Sequence, residues 1–376
     1  MQPKAARNIS IEALRLIAVA GIAIFHTFQW TFQAVWTGLP EYTPLTVFPY
    51  SGILGFINLL GCWANEAFFM ISGYFLITSA ARAWSDGATW TSQLQRTTQR
   101  LGKVILPTAF YCLAALAWST AVSPIPDVAL NTHYWYTLGL EFIWVYAATV
   151  FMAPWFGLAK SRLSQKNYTT AVIAVGILAF VVNGYLAAMS ATSAGEFSWL
   201  QKIMSAVTYV VAFLMGGLLR DVTDAMDSDR AGALGMRSLV TVLALATILE
   251  GELSFTGNIT AMAALSYKST SLISFALAAA SLLFAATRRS ASGNPRTAGI
   301  IVTLTTATLG FYVMQSLTSS LWRPVFKTLL ANILVSQNSP AAICIVTGTV
   351  ISIVFALALL IIDAARSLIA RQLKRQ

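Results

Sequence analysis

The sequence predicts an all-α polytopic membrane protein of about ten transmembrane helices, with both termini cytoplasmic. Three observations carry this expectation. Of the 376 residues 57% are hydrophobic and only 10% charged, with a mean hydropathy of +0.69, whereas a soluble domain has about 25% charged residues. Apolar runs close to the ~20 residues needed to cross a bilayer recur along the chain. Lys and Arg gather in alternate connecting segments, as cytoplasmic loops do. So few charges cannot coat a water-soluble surface, which excludes a soluble enzyme, a nucleic-acid-binding domain and a disordered chain. The expected location is the cytoplasmic (cell) membrane, multi-pass, with the lipid bilayer as partner and no nucleic acid.

Taken in order, the first span, 12–33, follows Arg7 and contains His26. It is too long for a cleaved leader, lacks a small-residue cleavage site, and nine further spans follow. An outer segment with Trp30, Trp36, Pro40, Tyr42, Pro44, Pro49 and Tyr50, suited to headgroup depth, leads to the second span, 53–80. Arg82, Arg96, Arg100 and Lys103 separate it from the third, 104–122. His133-Tyr134-Trp135-Tyr136 introduces the fourth, 134–156, and Lys160, Arg162 and Lys166 precede the fifth, 168–189. The sixth, 200–220, ends at Arg220, and Arg230 and Arg237 come before the seventh, 238–254. The eighth, 269–287, is followed by Arg288, Arg289 and Arg296, then by the ninth, 298–320. The tenth, 341–364, ends before Arg366, Arg371, Lys374 and Arg375. With Lys4 and Arg7, these cations all fall on one side; Lys202, Lys268, Arg323 and Lys327 fall on the other. The net charge of +10 therefore reports topology. The chain reads as a single domain, 1–376, with cytoplasmic tails 1–11 and 365–376. Cys62, Cys112 and Cys344 lie in apolar segments without paired spacing, as small core residues do; they suggest neither a disulfide framework nor a metal site.

Ionisable groups at mid-bilayer cost about 2.5–3.5 kcal/mol each, which makes them functional candidates. Arg15 and His26 share the first span. Eleven steps of 100° return to within about 20° of the starting direction, so the two face the same way roughly 16 Å apart. Gln33 continues the line and Gln29 lies beside it. This polar stripe must face protein or a water-filled passage. Alternatively, His26 is a packed core histidine and Arg15 snorkels to the headgroups. In the second span Asn65-Glu66 precedes Ser72-Gly73, a pair suited to close helix packing or a bend. Glu66 needs a partner, and Arg15 or His26 is the candidate. Glu141 is a similar carboxylate in the fourth span. Arg96, Arg100 and Lys103 fall on one face if helical and could hold a phosphorylated ligand. Asp221, Asp224, Asp227 and Asp229 read as a solvated inner loop, since their spacing matches no metal loop. Glu250 and Glu252 read as interfacial.

These residues resemble a known family. Arg7-Asn8, Glu12-Ala13-Leu14-Arg15 and His26 resemble the opening of the integral membrane acyltransferase-3 family, whose signature is a basic residue, ten residues, then histidine. Phe68-Phe69-Met70-Ile71-Ser72-Gly73 is similar to its FFxxSG segment. Arg100-Leu-Gly-Lys103 ahead of Pro107 resembles its RxxR-then-proline segment, and Leu309 through Gln315 its late IYLxH segment. Lys103 replaces the usual second arginine, and Gln315 stands where many members have histidine. The expected type is the single-domain one, without a fused esterase-like domain.

The resemblance implies a membrane O-acyltransferase, an O-acetyltransferase by first expectation. The donor would be acyl-CoA (acetyl-CoA) and the acceptor a hydroxyl of an envelope glycan or glycolipid. Arg15, Arg100 and Lys103 would take the phosphates of CoA. His26 would serve as general base or take the acyl group itself, with Glu66 orienting it. Asn65 and Ser72, and more distantly Glu141 and Gln315, would contact substrate or its oxyanion. No metal is expected. The alternative is a proton-coupled secondary transporter or flippase for an anionic or sugar-containing solute, using the same stripe.

Overall fold

The computed structural model describes residues 7–190, 198–265, 271–288, 294–336 and 339–373. Lys4, Lys268, Arg289, Lys374 and Arg375 lie outside them. The described elements are helices: α1 Ile9–Trp36, a short 3-10 helix Pro40–Leu45, α2 Tyr50–Ser85, α3 Trp90–Ala121, α4 Glu141–Arg162, α5 Gln165–Ser190 and α6 Ser198–Ala225. Then follow α7 Ser228–Phe255, α8 Ile259–Leu265, α9 Leu272–Thr287, α10 Pro295–Thr305, α11 Thr308–Leu317, α12 Ser319–Ser336 and α13 Pro340–Leu373.

Eight of these helices are long and apolar enough to cross a membrane, and α10 with α11 makes a ninth broken by a 43° bend. The expected eighth span is α9, of 16 residues. At 1.5 Å per residue it covers about 24 Å, short of a ~30 Å hydrocarbon core, and most of its side chains are buried against protein.

The helix starts follow local rules. Asn8 caps α1, its Oδ1 accepting from the amides of Ser10 (3.0 Å) and Ile11 (3.3 Å), which satisfies two donors that a helix start leaves over. Thr89, Asp227 and Ser271 cap α3, α7 and α9 in the same manner.

The central helix is α2, which packs against α1, α4, α6, α7 and α9. Its crossing with α6 is close because a Cβ on Gly73 would run into the Phe213 carbonyl, and one on Gly216 into that of Met70. The Ser72-Gly73 pair therefore sets packing, and α2 runs on through it unbroken. Thr27 accepts from Ser352 (2.8 Å), and Phe28 lies on Gly348. That contact lays α13 antiparallel to α1, so the first and last helices leave at the same face.

Four expectations need correction. The fourth helix begins at Glu141 and not at Tyr134, because Leu138 and Gly139 have positive φ (59° and 88°) and break it. The stretch after residue 320, expected as an outer loop, continues the helix α12, Ser319–Ser336. The four aspartates do not form a loop but end α6 and begin α7: Asp221 pairs with Lys160 (2.5 Å), Asp224 with Arg82 and Arg220, and Asp227 caps α7, while Asp224, Asp227 and Asp229 stay exposed as expected. Glu250 is likewise buried, against Gly55, rather than interfacial. Cys62, Cys112 and Cys344 are buried, as expected of core residues.

Candidate functional site

At the face where α1 begins, a cleft of about 1410 Å³ opens between α1, α2, α3 and α6. Six basic side chains line it, Arg7, Arg15, Arg82, Arg96, Lys103 and Arg220, against the acids Glu12, Asp86 and Asp224. Arg15 donates to Glu12 across one turn of α1 (3.0 Å), and Arg7 stands 4.0 Å from the same carboxylate. Asp224 accepts from Arg220 (2.9 Å) and Arg82 (3.2 Å). Tyr74 braces this wall, its ring under Arg220 and its hydroxyl on Thr223 at 2.9 Å. Arg96 and Lys103 have no ion pair among the described residues. They reach the cleft from one face of α3, at i and i+7. Arg100, between them, does not line the cleft and reaches Ser79 at its edge instead (3.5 Å). Such a cleft exceeds the ~300–1,000 Å³ of ordinary small-ligand pockets. Its surplus of cations suits a large polyanion.

His26 lies beyond this cleft along α1 and is not among the described residues lining it. It is half-buried, with Nδ1 3.1 Å from Gln29 Oε1. With that oxygen as acceptor, Nδ1 carries the ring proton and Nε2 keeps a lone pair. The two polar ends of α1 are not joined by a polar surface. Between Arg15 and His26 the same face carries Ala18, Val19 and Ile22, which are 0%, 1% and 2% exposed. The expected continuous stripe is thus two polar ends divided by a packed apolar belt.

Glu66 is not brought to either candidate partner. Phe25 lies on Gly61 and Gly21 on Trp63, so α1 and α2 run antiparallel. That places Glu66 roughly 8 Å nearer the basic face than Gly61. It is fully buried, and neither carboxyl oxygen has a hydrogen-bond partner. Gln29, and not Glu66, orients the His26 ring.

Of the residues named for substrate contact, Asn65 donates to the Tyr209 hydroxyl (3.3 Å) while its Oδ1 is unpartnered. The Ser72 hydroxyl is engaged by Phe68 O and Tyr146 (2.8 and 2.9 Å). Glu141 is exposed in the first turn of α4, where the helix dipole favours a carboxylate. Gln315 is 2% exposed, with its Nε2 unpartnered.

Sequence reasoning missed Arg82 and Arg220, counted there only as topology charges, as cleft residues. It also missed Asp363, a buried carboxylate that accepts from Tyr111 (2.5 Å) and Arg366 (2.6 Å). A Cβ on Gly310 would collide with this carboxylate, which gives the glycine of the late segment a packing role. A carboxylate three residues before an arginine in the last span was the available signal.

Compared with known proteins, residues 8–359 match the family model described as an acyltransferase domain. No curated protein and no solved structure matches the chain.

Proposed function

The chain belongs to this acyltransferase family, and from that premise we propose that it moves an acyl group, acetyl in the first instance, from cytoplasmic acyl-CoA to a hydroxyl of an envelope glycan or glycolipid. The observation that carries this reading is the basic cleft at the foot of the helix bearing His26. CoA presents phosphates, and Arg96 and Lys103 line the cleft with no ion pair among the described residues. Arg82, Arg220 and Arg15 become available as the phosphates displace Asp224 and Glu12, and Arg100 supports the cleft's edge. Charge-assisted contacts of this kind are about twice as strong as neutral ones.

His26 is some 16 Å along α1 from Arg15, a span that an extended pantetheine arm on the order of 15–20 Å covers. The arm has to part Ala18, Val19 and Ile22 from the helices covering them, and the apolar belt otherwise keeps water and ions from crossing. At His26, Nε2 accepts the proton of the attacking hydroxyl while Gln29 holds Nδ1. The hydroxyl oxygen bonds to the thioester carbon as its C=O pair moves onto oxygen. That pair then returns, the C–S bond breaks, and the thiolate of CoA takes the proton from His26. Glu66 has no part in these steps.

The test uses purified protein in detergent, acetyl-CoA and a glycan acceptor, with no gradient of any kind. Release of CoA thiol in step with acceptor acetylation is expected. A protein that moves solute into vesicles but frees no thiol would be a transporter, and the proposal would fall.

A further inference from the structure

The outer half of the molecule holds an arrangement that the sequence disguised. Arg323, expected in a loop, lies on α12 beside α1. Lys327, one turn on, stands 5.8 Å above the ring of Trp30, itself one turn beyond His26. The helices thus pack side by side, and Arg323 on α12 and His26 on α1 each lie one turn before that pair. Trp322 ties α12 to α11: its indole donates to the Gln315 carbonyl (2.9 Å), and its ring lies 5.5 Å from the Arg323 guanidinium. Phe326 and Phe355 close around Trp322 at 5.4 Å each.

Two buried donors in this group have no acceptor, Arg323 Nε and Gln315 Nε2. A third, Trp30 Nε1, lies nearby on α1. The buried groups without partners around Asn65 and Glu66, nearer the basic face, are by contrast acceptor oxygens. A buried donor left unpaired is costly, and such donors on α1 and on the two helices packed against it, α11 and α12, call for an acceptor oxygen from a ligand.

We propose that Arg323 and Gln315 receive the acyl carbonyl oxygen beside His26 and stabilise the negative charge it gains as the acceptor hydroxyl adds. This inference rests on the acyl-transfer reading above. Donors already in place where charge develops, in a site shielded from water, need no reorganisation at the moment of reaction. Arg323 would then be a catalytic residue, and Gln315 would add a carboxamide donor beside it. The electron pair of the C=O bond rests on this oxygen between addition and loss of the thiolate, while the hydroxyl proton sits on His26.

The experiment is steady-state acyl transfer from acetyl-CoA to a glycan acceptor by purified Arg323→Gln, Arg323→Lys and Gln315→Glu. Arg323→Gln is expected to lower kcat a hundredfold or more, the size of effect seen when one such donor is removed, with KM for acetyl-CoA within twofold. Arg323→Lys should recover at least tenfold of that loss, which a purely structural role would not grant. Gln315→Glu changes little in volume and puts an acceptor where a donor stood; its kcat should fall as far. Should Arg323→Gln not yield folded protein, Gln315→Glu decides. If the wild type transfers acetyl and these variants keep kcat within threefold, the inference is overturned and the function stands. A wild type that transfers nothing overturns both.

Discussion

Arg96 and Lys103 enter the cleft from α3 with no ion pair among the described residues, so the donor binding proposed for them is separable from packing. Lys103→Glu is expected to raise KM for acetyl-CoA at least tenfold with kcat within twofold, the signature of an interaction made equally in the ground and transition states. Steady-state kinetics over a range of acetyl-CoA checks it; an unchanged KM would remove Lys103 from the donor site. At this scale the alignment of Arg15 with His26 was legible, because helical period alone sets it. The partners were not. Glu66 looked like a match for His26, yet the register of α1 against α2, set by Phe25 on Gly61, puts it on another level. Arg323 was hidden for the opposite reason: a cation between two expected spans reads as topology until the helix carrying it is seen against α1.

Among elements, the apolar spans were readable and their interruptions were not. The aromatic run 134–140 has the hydrophobicity of a span, but backbone of positive φ at Leu138 and Gly139 stops the helix. The bend between α10 and α11 has a local cause. Thr305, Thr306 and Thr308 each return a hydroxyl to a carbonyl three residues back (3.0, 2.7 and 3.2 Å), and such back-bonding bends helices. The α2–α6 crossing gives a direct stability test. Gly73→Ala should force the Phe213 carbonyl away and destabilise by about 1–3 kcal/mol, whereas Gly102→Ala, with open space around its Cβ position on α3, should be neutral or stabilising by up to about 1 kcal/mol. Thermal unfolding in detergent measures both. Equal melting of Gly73→Ala and wild type would refute the close approach.

For the molecule as a whole, a single buried helix, α2, gathers the others, and the two polar regions it helps to frame lie at different depths. One is a basic cleft at the face where α1 begins and α13 ends; the other is the His26 group, behind the belt of Ala18, Val19 and Ile22. Composition announced the first, since the basic face was visible in the charge distribution. The belt was invisible, because small apolar residues on a membrane helix carry no signal until their burial is known. On the proposed function, this division would give donor capture and chemistry to separate residues. The direct measurement is His26→Ala, followed in parallel by acetyl-CoA binding and by acetyl transfer. The account expects binding within twofold of wild type and kcat lower by at least a hundredfold, the range that general-base catalysis supplies; transfer at the wild-type rate, or a loss confined to acetyl-CoA binding, would contradict it.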